Sequence, residues 1–254
     1  YPEPCSKFFS NYELTTIPLF IFMGQLGFNS GISSRLYDAG YKFLGNIRGG
    51  LAMATVAACT AFGAVCGSSP ATAATMATVG LPEMRRYNYD DELATGAVAS
   101  GGGIGMIMPP SVVMIIYGIM TQQSIGALFV SGIIPAILIT VLFIICIYII
   151  CTMSPTLGPP GESFTWAEKF KSLLGIGETL TIFILVIGGI FLGWFTPTEA
   201  AAIGAFGVLV IALVRQQITW EGFVKSIMET LRTSCMVMIL IAGATILSKF
   251  LAVT

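Results

Sequence analysis

From residue 93 to residue 161 the chain runs for 69 residues without one charged side chain. No water-exposed fold of ordinary composition tolerates such a stretch, because about a quarter of a soluble domain is charged. Here 10% of 254 residues are charged and 55% are apolar, with a mean hydropathy of +0.87. The polar surface needed to cover a globule is missing, so the chain is expected to live in lipid as an all-α polytopic membrane protein. Other uncharged stretches lie at 14–34, 49–82, 179–198 and 233–248, and 200–214 follows Glu199 directly. None carries a signal-peptide cleavage pattern. The first residue is Tyr1 rather than Met, and Thr254 falls inside an apolar run, so the chain reads as an internal piece of a longer one.

The same composition removes whole classes of function. The net charge is −1 and the 12 basic residues form no stripe, so no nucleic-acid partner is expected. The chain has no histidine, which excludes Ser-His-Asp and Cys-His catalysis, His-ligated zinc and imidazole proton relays. No carboxylate lies mid-span to replace it as a base, so the chain is not expected to be an enzyme. Six cysteines include no C-x-x-C pair. Cys59, Cys66, Cys146, Cys151 and Cys235 sit in apolar stretches and read as small buried hydrophobes, with Cys5 near the terminus.

A spanning helix needs about 20 apolar residues. The stretch 49–82 is too long for one typical span and too short for two with a turn, and its centre reads Gly67-Ser68-Ser69-Pro70. Taking it as a re-entrant hairpin, and 93–161 as two spans, puts ten of the twelve basic residues on one face, as the inside-positive preference requires. Lys7 and Lys249 are the exceptions, and Tyr1 falls outside. The expected order is therefore a span at 14–34, the hairpin at 49–82, a broken span at 93–120 and a span at 124–153. Further spans follow at 179–195, 198–214 and 233–254. Amphipathic stretches at 162–174 and 219–232 echo each other through Thr165-Trp166 and Thr219-Trp220, and are expected as braces at the membrane interface. Thr196-Pro197-Thr198-Glu199 reads as a capping box that starts the helix at 198–214.

Two places break a helix at mid-depth, where unpaired backbone groups are costly unless they bind something. Of residues 49–80, 22 are Gly, Ala, Ser or Thr, which lets two half-helices pack closely. Gly67 suits the end of the first half-helix, Ser69 an N-cap and Pro70 the first position of the second. Ser68, Ser69 and Thr72 add hydroxyl oxygens at this tip. The second break is Gly101-Gly102-Gly103-Ile104-Gly105-Met106-Ile107-Met108-Pro109-Pro110-Ser111. It should expose carbonyls around Gly105 to Met108 and start a new helix near Pro109 to Ser111. Carbonyl and hydroxyl oxygens suit a hard monovalent cation, and helix N-termini suit a carboxylate. A hairpin facing a broken helix is an arrangement of secondary transporters. Close packing of small residues and a simple proline kink are the structural alternatives.

Several of these motifs, in order, resemble the large membrane (M, DctM-like) subunit of tripartite ATP-independent periplasmic (TRAP) transporters. They are Ile17 to Gly24, Arg48 to Ala52, Phe62 to Thr75, Leu81 to Met84, Met108 to Ser111 and Phe195 to Ala202. The resemblance covers nearly the whole chain. It implies half of an inverted-repeat elevator transporter in a bacterial or archaeal cytoplasmic (inner) membrane, importing a carboxylated solute with sodium as coupling ion and no other cofactor. The solutes that fit the family include C4-dicarboxylates, 2-oxo acids and sialic acids. A small membrane Q subunit and a soluble periplasmic substrate-binding P subunit are the implied partners. Carried onto this sequence, the sodium ligands are Ser68, Ser69, Gly105, Met108 and Pro110, with Thr72 and Ser111 near the solute. Cys66 stands where many family members have Ser. A second hairpin and second Pro-Pro break, which the family has, are not in this sequence. The rival is a pore-loop cation channel, because Thr78-Val79-Gly80 resembles part of a potassium filter.

Overall fold

The computed structural model describes residues 12–253, and all of its regular elements are helical. Tyr1, Cys5, Lys7 and Thr254 lie outside the described residues. Ten α-helices follow a 3₁₀ turn at Tyr12–Thr15. They are α1 (Thr16–Asn29), α2 (Ile32–Leu44), α3 (Gly50–Cys66), α4 (Ser69–Arg86) and α5 (Asp91–Ile104), then α6 (Val112–Thr121), α7 (Ile125–Met153), α8 (Trp166–Phe191), α9 (Pro197–Val214) and α10 (Trp220–Val253).

The centre of the molecule is α3, with 15 of its 17 residues buried. It packs against α1, α2, α4, α5 and α7, which its Gly- and Ala-rich surface permits by letting backbones approach. The stretch 49–82 is thus a helical hairpin of α3 and α4, the latter running through Pro82 to Arg86. Both feet of the hairpin meet the same loop. The N–H of Gly49 donates to the Gly158 carbonyl at 2.9 Å, and that of Asp90, just beyond α4, donates to the Leu157 carbonyl at 3.0 Å. The Tyr87 hydroxyl reaches Glu162 at 3.1 Å. Arg48, Arg85 and Arg86 therefore flank one shared loop region, as the charge pattern leads one to expect. Nearby, burial pushes the Tyr89 hydroxyl up to about 12, and that hydroxyl accepts from the Leu51 N–H at 3.2 Å.

The stretch 14–34 is not one helix. The helix α1 has 14 residues, about 21 Å at 1.5 Å per residue, well short of a hydrocarbon core of about 30 Å. Gly31 in the left-handed region, φ 71°, ends it and starts α2, an amphipathic helix that sequence reading missed. Ser34 and Arg35 belong to α2, whose buried face carries Ile32, Leu36, Tyr37 and Ala39.

Among the described residues four helices are long and apolar enough to cross a membrane: α7, α8, α9 and α10. The expected count of six rested on treating 14–34 and the broken stretch 93–120 as spans. The latter is two short helices, α5 and α6, separated by residues 105–111. The stretches 162–174 and 219–232 are not separate helices either. Each runs unbroken into the apolar stretch that follows, as α8 and α10. Their echoed Thr-Trp pairs mark the two helix starts: Thr165 is the N-cap of α8 within a capping box to Glu168, and Thr219 accepts from the Gly222 N–H at 3.1 Å. The first half of α8 lies along α2, antiparallel to it, with Lys169 over the Phe43 ring. Beyond it, Arg215 binds Glu178 at 2.6 Å, and Arg35 binds Gln217.

The capping box of α9 forms as the sequence predicts. The Thr196 N–H donates to Glu199 at 2.8 Å, and Thr196 Oγ1 accepts from the Glu199 N–H at 3.3 Å. Thr198 then meets Thr16 of α1 in a buried hydroxyl pair at 2.6 Å, tying α9 to α1. Cys59, Cys66 and Cys151 are buried, but Cys146 and Cys235 are exposed, on helices whose outer faces are apolar.

Candidate functional site

The hairpin ends where Gly67 turns into the left-handed region, φ 61°, and returns its N–H to the Gly63 carbonyl at 2.7 Å. The next residue, Ser68, is extended and is the N-cap of α4, so Ser69 and Pro70 take its first two positions. This moves the expected cap from Ser69 to Ser68. The cap makes no side-chain hydrogen bond. Both serine hydroxyls are half-buried and lack a hydrogen-bond partner among the described residues.

The break between α5 and α6 is seated on this tip. The Val112 N–H donates to the Gly67 carbonyl at 3.4 Å. A Cβ on Gly67 would run into the Pro110 carbonyl oxygen, so only glycine fits the contact. The same logic repeats down the interface. A Cβ on Gly63 would lie 2.6 Å from Gly105 Cα, one on Gly102 2.5 Å from the Ala73 Cβ, and one on Gly105 2.6 Å from Thr72 Oγ1. On the far side, a Cβ on Gly24 of α1 would lie 2.8 Å from Cys66 Cα. Small residues here are the means by which two helix breaks touch.

Within the break the amides of Gly105 to Met108 are satisfied, whereas several carbonyls are not. The N–H of Gly105 donates to Gly102 O at 3.1 Å, and those of Ile107 and Met108 donate to Ile104 O at 2.9 and 3.0 Å. Among the described residues, the carbonyls of Gly105, Met108 and Pro110 accept no hydrogen bond. The Pro109-Pro110 peptide is cis. Ser111 caps α6, accepting from the Met114 N–H at 3.5 Å and donating to Met106 O at 2.5 Å. Thr72 donates to Ser68 O at 2.8 Å. Both side chains are fully buried.

A cavity of about 420 Å³ opens beside the tip, between α1, α4, α6 and α10. Ser68 and Ser69 form part of its wall, with Gln25, Ile116, Glu229 and Thr233. Gly105, Met108, Pro110, Thr72 and Ser111 do not line it. The fold therefore sets Gly67 on Pro110 and Thr72 on Gly105, while Ser68 and Ser69 line the cavity. Gln25, Glu229 and Thr233 were missed in the sequence. Gln25 stands in an otherwise apolar stretch, and Glu229 lies within 219–232, expected as a brace at the membrane interface. Among the described residues no group of three or more His, Cys, Asp or Glu could hold a metal. A cation here would rest on carbonyl and hydroxyl oxygens.

The rival filter does not form. Thr78, Val79 and Gly80 are helical within α4, and Thr78 donates to Thr75 O at 2.7 Å. Their carbonyls are turned along the helix and line no pore of stacked oxygens.

Residues 6–254 match the family model described as "Tripartite ATP-independent periplasmic transporter, DctM component". The C4-dicarboxylate TRAP transporter large permease protein DctM of Pseudomonas aeruginosa is 35% identical over 244 residues, covering 95% of this chain and 56% of that protein. The sialic acid TRAP transporter large permease protein SiaM of Vibrio cholerae is 34% identical, with coverage of 95% and 56%. The ectoine TRAP transporter large permease protein TeaC of Halomonas elongata is 38% identical over 192 residues, with coverage of 75% and 44%. The chain spans about half the length of the curated relatives it matches. With a family match along nearly all of its length and helices fit to cross a bilayer, the chain is an integral membrane protein and belongs to the DctM family, the large permease component of TRAP transporters.

Proposed function

We propose that the protein is the sodium-coupled carrier of a secondary importer for a small carboxylated solute. The observation that carries this reading is the seating of the hairpin tip on the α5–α6 break. It sets Gly67 against Pro110 and Thr72 against Gly105, and along these two breaks the carbonyls of Gly105, Met108 and Pro110 and the hydroxyls of Ser68 and Ser69 make no hydrogen bond among the described residues. Such oxygens are the ligand set of a hard monovalent cation. These 254 residues hold no histidine, so within them an imidazole proton relay has no residue to use. The relatives named above are described as permeases for C4-dicarboxylates, sialic acid and ectoine, which supports a carboxylated solute as the cargo class.

In this reading the hairpin is re-entrant, and it moves with α5 and α6 as one elevator body in the cytoplasmic membrane. A soluble binding protein delivers the solute, and a small Q-type subunit completes the tripartite system. The tight glycine contacts at Gly63, Gly102 and Gly105 suit a body that moves without internal rearrangement.

The test is solute uptake into liposomes holding the full-length permease with its small subunit. Uptake is expected only with sodium outside and the binding protein present. Equal flux with potassium, or without the binding protein, overturns the proposal. Ser69→Ala should raise the half-saturating sodium concentration about three- to tenfold, the effect of losing one oxygen contact. Because Ser69 makes no cap bond, its stability should change little.

A further inference from the structure

Where α2, α8 and the α9–α10 loop converge, positive charge outnumbers negative. Arg215, which follows the last turn of α9, grips Glu178 of α8 with two nitrogens. Its Nε lies 3.2 and 3.1 Å from the two carboxylate oxygens, and its Nη2 lies 2.6 Å from one of them. Arg35 of α2 donates instead to the side chain of Gln217, two residues past Arg215. That neutral amide is its one hydrogen-bond partner among the described residues, and it forms no ion pair with any of them. The next acid on α2, Asp38, is already held by Lys42 at 2.7 Å. Burial, and then the charge of Arg215, push the Arg35 guanidinium below its ordinary range, while Glu178 opposes them. Two guanidinium groups thus share one carboxylate, and most donors of Arg35 are free.

These groups stand at the edge of the bilayer. Arg215 comes directly after an apolar helix long enough to span, so it falls where the hydrocarbon ends. Leu174, one turn before Glu178 on the same face of α8, is exposed, as are Leu213 and Val214 just before Arg215. Trp220, three residues after Gln217, is exposed too, and tryptophan favours the headgroup level. Apolar helix surface therefore leads up to an uncompensated positive charge, which is the complement of a lipid with an anionic head.

We propose that Arg35 and Arg215 hold the phosphate of an anionic phospholipid whose acyl chains run along the exposed faces of α8 and α9. A phosphate accepts from planar guanidinium donors and cancels the charge that Glu178 leaves over. The lipid would fasten the amphipathic α2 to the ends of two spanning helices. This holds whatever solute or coupling ion the carrier uses.

The experiment is native mass spectrometry of the full-length permease in detergent, titrated with phosphatidylglycerol or with phosphatidylcholine of the same chains. The first phosphatidylglycerol is expected to bind about fivefold or more tightly than phosphatidylcholine. Arg35→Gln removes the unpaired charge and leaves the Arg215–Glu178 pair intact. It should weaken phosphatidylglycerol about fivefold and leave phosphatidylcholine unchanged. Gln217→Glu, which gives Arg35 a carboxylate from the chain itself, should weaken phosphatidylglycerol to a similar degree, and it decides alone if Arg35→Gln does not fold. Lys171→Gln, an exposed basic residue of α8 outside the cluster, should change neither lipid. Equal affinity for the two lipids, undiminished phosphatidylglycerol binding in a folded Arg35→Gln or Gln217→Glu variant, or an equal loss in Lys171→Gln overturns the proposal. Displacement of phosphatidylglycerol by glycerol 3-phosphate at matched concentration also overturns it, since the site would then take a soluble phosphate.

Discussion

The hairpin and the helix α7 are both apolar, yet they use their apolar residues in opposite ways. In α3 nearly every residue is buried, among them Leu51, Val56, Cys59 and Phe62. In α7 only 11% of the most apolar window is buried, and Ile134, Leu138, Val141 and Leu142 are exposed. The difference follows from side-chain size. Glycine and alanine offer lipid little surface but let backbones meet, so α3 draws neighbours to itself. Most bulky residues of α7 face outward, and its buried face is a narrow line. That line includes Phe129, Gly132 under Met114, and Thr140 paired with Thr60 of α3 at 2.8 Å. Hydropathy alone does not separate the two regions, because both read as membrane-soluble. What separates them is whether the apolar surface is made of protein contacts or lipid contacts.

The strongest way to break that contrast is to add one carbon at the hairpin tip. Gly67 holds φ 61°, and its missing Cβ leaves room for the Pro110 carbonyl. Gly67→Ala therefore combines a left-handed penalty of about 1–2 kcal/mol with an overpacking cost of about 1–3 kcal/mol. Thermal unfolding of the detergent-solubilised permease should show a loss within the sum of those ranges. Uptake should fall with it, because the tip would be pushed off the α5–α6 break. A variant as stable and active as the parent would mean that tip and break do not touch in the working protein.

A neighbouring pair of glycines sharpens the point without leaving α5. A Cβ on Gly102 would meet the Ala73 Cβ at 2.5 Å, whereas one on Gly103 would meet nothing within 4 Å. Gly102→Ala should destabilise by about 1–3 kcal/mol through overpacking. Gly103→Ala should stabilise by about 0.5–1 kcal/mol, since alanine orders a helix interior more readily than glycine. Opposite signs one residue apart, read by the same unfolding assay, would establish that α5 packs on α4 as described. Equal effects would refute the packing.

The glycine run also marks how far the sequence could be read. That Gly101 to Gly105 and Pro109-Pro110 break a helix was legible, because glycine and proline act on local backbone. So were the hairpin turn at Gly67 and the capping box at Thr196, whose signals span four residues or fewer. The face each helix presents was not. Glu229 carries a charge on the polar side of an amphipathic pattern, and only the approach of α10 to α1 turns that side toward the hairpin tip. Helix length was misread for a related reason. Gly31 divides 14–34 into α1 and α2, yet a glycine inside an uncharged stretch looks the same whether it ends a helix or packs within one. The hairpin reading of 49–82 came from charge parity, which depends on which loops share a face and not on where helices end.

The smallest effect is expected where lipid is the neighbour. Leu138 on α7 is 57% exposed, and in the bilayer that surface meets acyl chains as apolar as itself. Leu138→Ala removes contacts with lipid that lipid itself can restore, so no cavity is left behind and the unfolding free energy should move by no more than about 0.5 kcal/mol. Phe129, nine residues earlier on the same helix, is 1% exposed and stands edge-on to Phe20 of α1 with ring centroids 6.0 Å apart. Phe129→Ala opens a void that protein must bound, and should cost about 3–5 kcal/mol. If both substitutions proved equally costly in the full-length permease, the exposed side of α7 would be covered by protein in the assembled transporter. In that case the distinction between a protein-packed hairpin and a lipid-packed α7 would hold only for this half of the molecule.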